Sequence, residues 1–440
     1  MPSSDAIEID PFVAAAAALP DVELHSLMVV QHGRVVAEGW WHPYAPQTPQ
    51  LLYSLSKSFT STALGYAVSE GLVDLDATVL SYFPEFAGVV TDERSRAIRV
   101  RHVAAMASGH DDETVDRALR AGDGDLVLGL LLVPPEREPG TVFAYNQPCT
   151  YTVSAIVQRV SGGSLTEYLR PRLFEPLGIT GYGWHTDAGG RELGFTGLHA
   201  TTEAIARLGQ LYLRNGAWNG RQLLSAEWVA EATSSHVATN EPNPDWAQGY
   251  GFQFWRSRHG YRGDGAYGQL MLILPEVDAV VAITSQSPDM QGLLNAVWTH
   301  LLPALASGGG AGVWSPSLPS LARPAPVGRP GELVPMSFRA GPGNELASLR
   351  AVELRAGELV LADAGPELIA PLGAPQTWTT AGPLATAYAW ADGRLLVDVV
   401  FVETPHRLHL VLDPETGLFE ARWQAVPLGE PPLSVLKMPR

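Results

Sequence analysis

A serine and a lysine three residues apart carry the strongest chemical signal in the sequence. Ser54 and Lys57 form an S-x-x-K motif directly after the apolar letters LLY, and apolar residues then recur every three or four positions up to Gly71. This periodicity predicts a helix that begins at Ser54. Unpaired backbone N–H groups at its start would stabilise an oxyanion, and a lysine three positions later projects from the same face.

Burial would make this lysine a base. Desolvation lowers the pKa of a buried amine, so that a neutral Lys57 could accept the hydroxyl proton of Ser54. A short motif of two common residue types also has a simpler explanation, in which the serine caps the helix and the lysine is exposed. The sequence contains no G-x-S-x-G segment, so the competing nucleophile elbow is absent.

Two further segments carry residues suited to the same chemistry. In PGTVFAYNQPCTY, Tyr145 follows a Pro-Gly turn and precedes a predicted helix, where its phenol could pass a proton to a leaving group. In YRGDGAYGQLMLILPEVDAVVAIT, glycines come immediately before two buried strands. Glycine there allows the backbone to approach a ligand closely.

The ordered set of segments resembles the class C beta-lactamase-like serine hydrolases, a superfamily that includes penicillin-binding proteins, DD-peptidases and esterases. The resemblance covers Ser26 to about Leu305 and rests on the S-x-x-K helix, PGTVFAY, LFEPLGI, WNGRQLLSAEW and the strands from GYGFQFW to VVAIT. It implies acyl transfer, with Ser54 as nucleophile, Lys57 as general base and Tyr145 as the phenol of the family's Y-x-N element.

The sequence departs from the family's Y-x-N element. The letters YNQ place Gln147 where the family has asparagine, unless Asn146 turns inward to serve instead. The K-T-G or H-x-G strand motif is also missing, and RGDGA occupies positions 262–266. Both changes affect groups that hold a beta-lactam, so we expect weak or no beta-lactamase activity.

The resemblance also implies where the oxyanion would bind. One backbone N–H would come from Ser54 and the second from the strand near Gly265 or Ala266. The candidate oxyanion- and substrate-binding residues are Asn146, Gln147, Asp264, Gly265 and Ala266.

The pattern of elements predicts an α+β fold for residues 1–305. A β-hairpin at 26–41 is followed by a mostly helical middle, by strands at 250–256, 269–274 and 279–285, and by a helix within 288–305. We expect the first and last strands to form one antiparallel sheet flanked by helices, with a large α insertion.

A second domain is expected after a linker. Residues 306–332 are dense in Gly, Pro and Ser without periodicity, which is typical of a linker. Residues 333–440 show only strand and turn signals and predict a small antiparallel β barrel or sandwich. This part resembles the lipocalin-like domain that some of these hydrolases carry.

Composition narrows the class of protein. The 440 residues are 46% hydrophobic and 17% charged, as in a soluble globular protein, and 29 Lys+Arg against 46 Asp+Glu give a net charge of −17. This charge disfavours nucleic-acid and membrane-surface partners. No signal peptide or membrane-spanning segment is recognised, so a cytoplasmic location is expected.

Other candidate residues favour simpler explanations. The single cysteine, Cys149, excludes an intrachain disulfide and is typical of a small buried apolar residue. No H-E-x-x-H occurs, and His110 with the two following aspartates indicates a polar loop, so neither a metal nor a cofactor is expected. The R-G-D letters at 262–264 lead into a core strand and do not indicate adhesion.

Three functions remain compatible with these residues. The first is a serine hydrolase that cleaves a small-molecule ester, amide or peptide through an acyl-Ser54 intermediate. The second is an acyltransferase, such as a peptide-cyclising thioesterase of penicillin-binding-protein type. The third is a catalytically silent binding protein on the same fold.

Overall fold

A computed structural model describes residues 7–308, 312–315 and 322–440 of the chain. The helices are α1 (Asp10–Ala17), α2 (Ser56–Ser69), α3 (Val79–Tyr82), α4 (Glu93–Ala97), α5 (Val100–Ala104), α6 (Val115–Ala121), α7 (Leu126–Leu132), α8 (Gln147–Ser161), α9 (Leu165–Leu169), α10 (Glu175–Leu177), α11 (Thr202–Leu213), α12 (Ala226–Thr233), α13 (Met290–Ala296) and α14 (Leu302–Ala306). Within these ranges, no helix combines the length and hydrophobicity that crossing a bilayer requires.

The strands fall into two groups along the chain. The first group is β1 (Glu23–Gln31), β2 (Arg34–Trp40), β3 (Gln50–Leu51), β4 (Gly183–Trp184), β5 (Leu198–Ala200), β6 (Ala217–Trp218), β7 (Arg221–Gln222), β8 (Trp255–Arg256), β9 (Tyr261–Gly265), β10 (Gln269–Leu274) and β11 (Ala279–Gln286). The second group is β12 (Met336–Ala340), β13 (Ala351–Arg355), β14 (Glu358–Ala362), β15 (Leu368–Pro371), β16 (Thr379–Ala381), β17 (Leu384–Ala391), β18 (Arg394–Phe401), β19 (Arg407–Asp413) and β20 (Leu418–Trp423).

The central sheet joins the two ends of the first domain. Its order is β2-β1-β11-β10-β9-β8, and every neighbouring pair is antiparallel. Side chains alternate across it: Met28 and Val30 join the core around α2, whereas Leu27 and Val29 join the core around α1 and α13. The predicted α+β class, with one antiparallel sheet between helices, is confirmed.

Helix α2 lies in the interior of the domain. Every residue from Ser56 to Ala67 is buried, because the sheet lies on one side and α8, α9 and α12 pack around the others. Its hydroxyls bond to carbonyls: Thr62 Oγ1 donates to Ser58 O at 2.8 Å and Ser61 Oγ donates to Phe252 O at 2.6 Å. A helix buried on all sides places its first turn out of contact with bulk water.

The strand expected at 250–256 is mostly irregular. Only β8 pairs regularly there, since Gln253 has a left-handed φ of 65° and its amide donates to Ala104 O at 2.8 Å. The glycine-rich approach expected before the buried strands is itself the strand β9. Helix α1 was not predicted; it buries Phe12 and Ala16 against the segment around α13.

The C-terminal strands build a separate β domain with its own core. The sheet order is β15-β14-β13-β12-β20-β19-β18-β17-β16. Thr386 Oγ1 of β17 donates to Pro371 O of β15, the strand at the opposite edge, so the barrel is nearly closed. The predicted all-β C-terminal domain is confirmed, and its paired strands are antiparallel except β12 and β20, which run parallel. The nine strands from β12 to β20 alternate in direction along the chain, so the first and the last point the same way and pair in parallel.

The expected linker contacts both domains through the residues that the structure describes. Trp314 exchanges backbone hydrogen bonds of 2.9 Å with Val36 and Glu38. The buried Arg323 pairs with Glu23 of β1, and Arg407 of the barrel pairs with the same carboxylate at 3.3 Å. Residues 309–311 and 316–321 of this segment lie outside the described residues. An ion-pair cluster therefore joins the two domains.

Candidate active site

Ser54 lies in a short 3₁₀ turn that leads into α2. The turn spans Tyr53–Leu55, so regular helix begins at Ser56 rather than at Ser54 as expected. Ser54 is partly exposed, whereas Lys57 in the first helical turn retains 1% of its accessible surface. Lys57 Nζ lies 3.0 Å from Ser54 Oγ. The structure therefore brings the predicted nucleophile and base into contact.

Two oxygen atoms hold the Lys57 amine. Nζ lies 2.7 Å from Gln147 Oε1 and 2.8 Å from the carbonyl oxygen of Phe195. Burial lowers the pKa of Lys57 to about 7, although the negative charges of Glu113 and Asp264 oppose this shift. A large fraction of the amine is therefore neutral near neutral pH.

Tyr145 lies beside the same amine. Its ring centroid is 4.8 Å from Lys57 Nζ, and the ring stacks on Trp255 at 5.5 Å. Burial raises the pKa of Tyr145, and the charge of Asp264 raises it further, while a hydrogen bond with Ser54 opposes both effects. The phenol therefore stays protonated at neutral pH.

The two amides after Tyr145 have different surroundings. Asn146 Oδ1 accepts hydrogen bonds from Thr114 N at 3.0 Å and Thr114 Oγ1 at 2.9 Å, and the residue is fully buried. Gln147 is the first residue of α8 and contacts Lys57. Of the two alternatives, Gln147 contacts Lys57, whereas the Asn146 side chain bonds to Thr114.

Strand β9 lies directly against the turn that carries Ser54. A Cβ added at Gly265 would be 2.1 Å from Leu52 O, and one at Gly263 would be 2.4 Å from Ser58 Oγ. Only glycine permits this approach. Gly265 forms the last pair of β9, opposite Gln269, and Ala266 follows it beyond the ladder. The geometry thus places the backbone of both predicted oxyanion segments side by side.

Asp264 has a partner inside β9. Its Oδ2 accepts from Arg262 Nε at 2.9 Å, and both side chains are buried. Burial raises the pKa of Asp264, and the Arg262 charge opposes this. Arg262 also lies 4.4 Å from the Trp246 ring centroid. Against the effect of burial, the negative charge of Asp264 raises the pKa of Lys57. Because Arg262 and Asp264 are buried, the R-G-D letters are not a surface motif.

The other candidates have structural roles. Burial raises the pKa of Cys149 to about 12, and its Sγ lies 3.4 Å from Ser108 Oγ. His110 bonds to Ser108 Oγ and to Val133 O, both at 2.8 Å. Over the ranges that the structure describes, no three His, Cys, Asp or Glu side chains are grouped as metal ligands.

Three residues of the site were not found from the sequence. The carbonyl of Phe195 carries no residue-type signal, since any residue supplies one. Glu113 accepts from Gln147 N at 3.0 Å at the start of α8, and Trp255 supports Tyr145. The acidic loop before the PGTVFAY segment and the aromatic cluster around Trp255 were the available signals for the last two.

Comparison with known proteins identifies the family. The family model described as Beta-lactamase matches residues 13–305. The chain belongs to the Beta-lactamase family. The match covers the sheet, the helical region and every residue of the site described above, and it ends before the C-terminal barrel.

Curated relatives in this family include hydrolases. The 6-aminohexanoate-dimer hydrolase of Paenarthrobacter ureafaciens is 28% identical over 318 residues, which cover 66% of this chain and 80% of the relative. The lovastatin esterase of Penicillium rubens is 30% identical over 169 residues, which cover 33% of this chain and 42% of the relative. A solved structure described as a putative 6-aminohexanoate-dimer hydrolase from Bacillus anthracis shares the fold, with a TM-score of 0.56, 23% identity and coverage of 66% and 82%.

Substitution of Gly265 tests the contact between β9 and the turn that carries Ser54. We expect Gly265→Ala to lower kcat/KM for an activated ester about 10- to 100-fold, because the added Cβ would displace the Leu52 carbonyl and with it the turn. Gly88→Ala is the matched control, since nothing lies within 4 Å of a Cβ at that glycine. Wild-type kinetics in Gly265→Ala would show that the strand does not set the geometry of the turn.

Proposed function

We propose that the protein is a serine hydrolase that cleaves an ester or amide through an acyl-Ser54 intermediate, with Lys57 as general base. One observation carries the proposal: the Lys57 amine lies 3.0 Å from Ser54 Oγ, and burial lowers its pKa to about 7. A capping serine with an exposed lysine would show neither the contact nor the shift.

The hydrogen bonds around Lys57 favour one direction of proton transfer. A neutral amine has two N–H groups and one lone pair. The Gln147 side-chain oxygen and the Phe195 carbonyl can only accept, so they take the two N–H groups. The lone pair then faces Ser54, whose hydroxyl donates to it. The base is thus oriented toward the nucleophile before substrate binds.

Acylation follows from this arrangement. Ser54 Oγ bonds to the substrate carbonyl carbon as its proton moves to Lys57 Nζ, and the carbonyl oxygen gains the negative charge. The backbone N–H of Ser54 and that of Gly265 or Ala266 stabilise that oxyanion. When the bond to the leaving group breaks, the Tyr145 phenol protonates it and is itself reprotonated from Lys57.

Deacylation reverses the same proton path. A water molecule replaces the leaving group, gives its proton to neutral Lys57 and adds to the acyl carbon. Ser54 then leaves with a proton returned to its oxygen, and the acid product departs. Two relatives named above are described as a 6-aminohexanoate-dimer hydrolase and a lovastatin esterase, and these descriptions support hydrolysis of an ester or amide.

Covalent labelling tests the nucleophile. We expect a fluorophosphonate probe to add its mass to the peptide that contains Ser54, and Ser54→Ala to remove the labelling, because a nucleophile and its base act as one unit. Peptide mass spectrometry locates the adduct. Ser56→Ala serves as the control, as Ser56 Oγ accepts from Leu198 N at 3.1 Å instead of facing the amine. Labelling at Ser56 or Cys149 would contradict the assignment.

The pH dependence tests the base. The pKa of Lys57 is lowered to about 7, and only its neutral form accepts a proton, so kcat/KM should rise through about pH 7 and fall on acidification. Lys57→Arg keeps the charge but is not deprotonated, so we expect a loss on the order of 10³-fold or more with a similar melting temperature. Retention of more than about a tenth of wild-type activity would refute the general-base role.

Substrate preference tests the departures from the family motifs. With Gln147 at the amide position and Asp264 engaged by Arg262, we expect short acyl esters to exceed nitrocefin in kcat/KM by at least about 10-fold, a difference of about 1.4 kcal/mol. Initial rates with p-nitrophenyl butyrate and nitrocefin provide the comparison. An equal or reversed preference would show that these two changes do not discriminate against lactams.

A further inference from the structure

The chain immediately before the nucleophile is bound to the C-terminal barrel. Leu51 N donates to Glu403 O at 2.8 Å, and the Gln50 side chain donates to Val402 O. Both acceptors lie in the connection between β18 and β19, far outside the residues that the family model matches. The barrel therefore contacts the segment that leads directly into the Ser54 turn.

One hydrogen bond joins this connection to the turn itself. Tyr53 Oη lies 2.5 Å from His406 Nε2, and both residues are buried. His406 Nδ1 lies 2.9 Å from Ala425 O, and a carbonyl only accepts, so Nδ1 carries the ring proton. Burial lowers the pKa of His406 to about 4, which leaves Nε2 as a neutral acceptor. Tyr53 is therefore the donor.

The barrel makes a second such bond at the end of β9. Tyr267, the residue after Ala266, donates its hydroxyl to Val426 O at 2.5 Å. Its ring meets the rings of Tyr53 at 5.3 Å and His406 at 5.1 Å, edge to face. The two tyrosines thus flank the two backbone segments of the predicted oxyanion site, and the hydroxyl of each tyrosine forms a hydrogen bond with the barrel.

Both tyrosines have unusual backbone conformations. Their φ angles, 48° at Tyr53 and 65° at Tyr267, lie in the left-handed region that residues other than glycine seldom adopt. Such conformations persist where surrounding contacts fix them. At these two positions, the C-terminal domain supplies the hydrogen-bond partners of the side-chain hydroxyls.

We propose that the barrel is part of the active site: His406 and the Val426 carbonyl position Tyr53 and Tyr267, and these tyrosines align the backbone N–H of Ser54 with that of Gly265 or Ala266. The inference rests on the proposed function, because it concerns the oxyanion formed in that reaction. Tyr53 and His406 are positioning residues and do not touch the reacting atoms.

The proposal predicts a specific kinetic pattern. Oxyanion donors act on charge that develops in the transition state, so their misalignment lowers kcat more than it changes KM. Lys57 is oriented by its contacts with Gln147 and Phe195, and the barrel takes no part in these contacts. In the variants, the midpoint of the acid limb of the pH–rate profile should therefore stay unchanged, while the rate at the plateau falls.

The experiment compares Tyr53→Phe, His406→Phe, His406→Gln and the double variant Tyr53→Phe/His406→Phe in the full-length protein. With p-nitrophenyl butyrate we expect the Tyr53→Phe and His406→Phe variants to lose about 10-fold or more in kcat, with KM within about threefold. The double variant should lose no more than either single change, because both remove one hydrogen bond. His406→Gln retains an acceptor and should recover most of the rate.

Tyr44→Phe is the matched control. Tyr44 also directs its hydroxyl to the same barrel connection, at 3.4 Å from Thr404 O, and it accepts from Arg323 at 2.9 Å, but it does not adjoin the nucleophile. We expect its kcat to stay within about twofold of wild type. Melting temperatures and far-UV circular dichroism verify the folding of every variant. If His406→Phe does not fold, Tyr53→Phe still tests the hydrogen bond, because it removes only one oxygen atom.

The outcomes separate the two proposals. If wild type is labelled at Ser54 and hydrolyses the ester while Tyr53→Phe and His406→Phe match it, only the positioning role fails. Equal losses in Tyr44→Phe and Tyr53→Phe, or additive losses in the double variant, would also overturn that role, because they indicate domain association alone. If wild type is neither labelled nor active, the serine-hydrolase function fails, and the positioning role fails with it.

Discussion

A charged amine loses much of its hydration free energy when water is removed from it, and the interior position of α2 imposes this on Lys57. The sheet and the surrounding helices exclude water from the first turn, so the amine is neutralised easily. Its hydrogen-bonding capacity is still met, by Gln147 and Phe195. Ser54 remains as the group that faces the lone pair. In the proposed mechanism, packing of the central helix thus both neutralises Lys57 and directs its lone pair toward Ser54.

Nearby negative charge limits how far the amine is shifted. Glu113 and Asp264 both favour the charged form of Lys57 and keep its pKa near 7. Each carboxylate is itself restrained, Glu113 by the N–H of Gln147 and Asp264 by Arg262. A group that can take up and release a proton near neutral pH needs this balance of desolvation against charge, since either effect alone would leave it permanently in one form.

Local spacing explains which parts could be predicted from the sequence. Ser54 and Lys57 are three residues apart at the start of a helical segment, so their contact follows from the spacing of the motif. The contact of Lys57 with Phe195 joins residues 138 positions apart through a main-chain oxygen. No residue type marks such an acceptor. The choice between Asn146 and Gln147 also needed the fold, because it depends on Thr114 capturing the first amide.

The turn that carries Ser54 is contacted from two sides, by different kinds of residue. Strand β9 approaches through residues without side chains, where a Cβ at Gly265 would overlap the Leu52 carbonyl. The barrel approaches through large aromatic side chains, with Tyr53 donating to His406. A left-handed residue before the serine costs about 1–3 kcal/mol and requires such contacts to persist. Because the second set lies in the C-terminal domain, the conformation of the turn that carries Ser54 depends on both domains being in place.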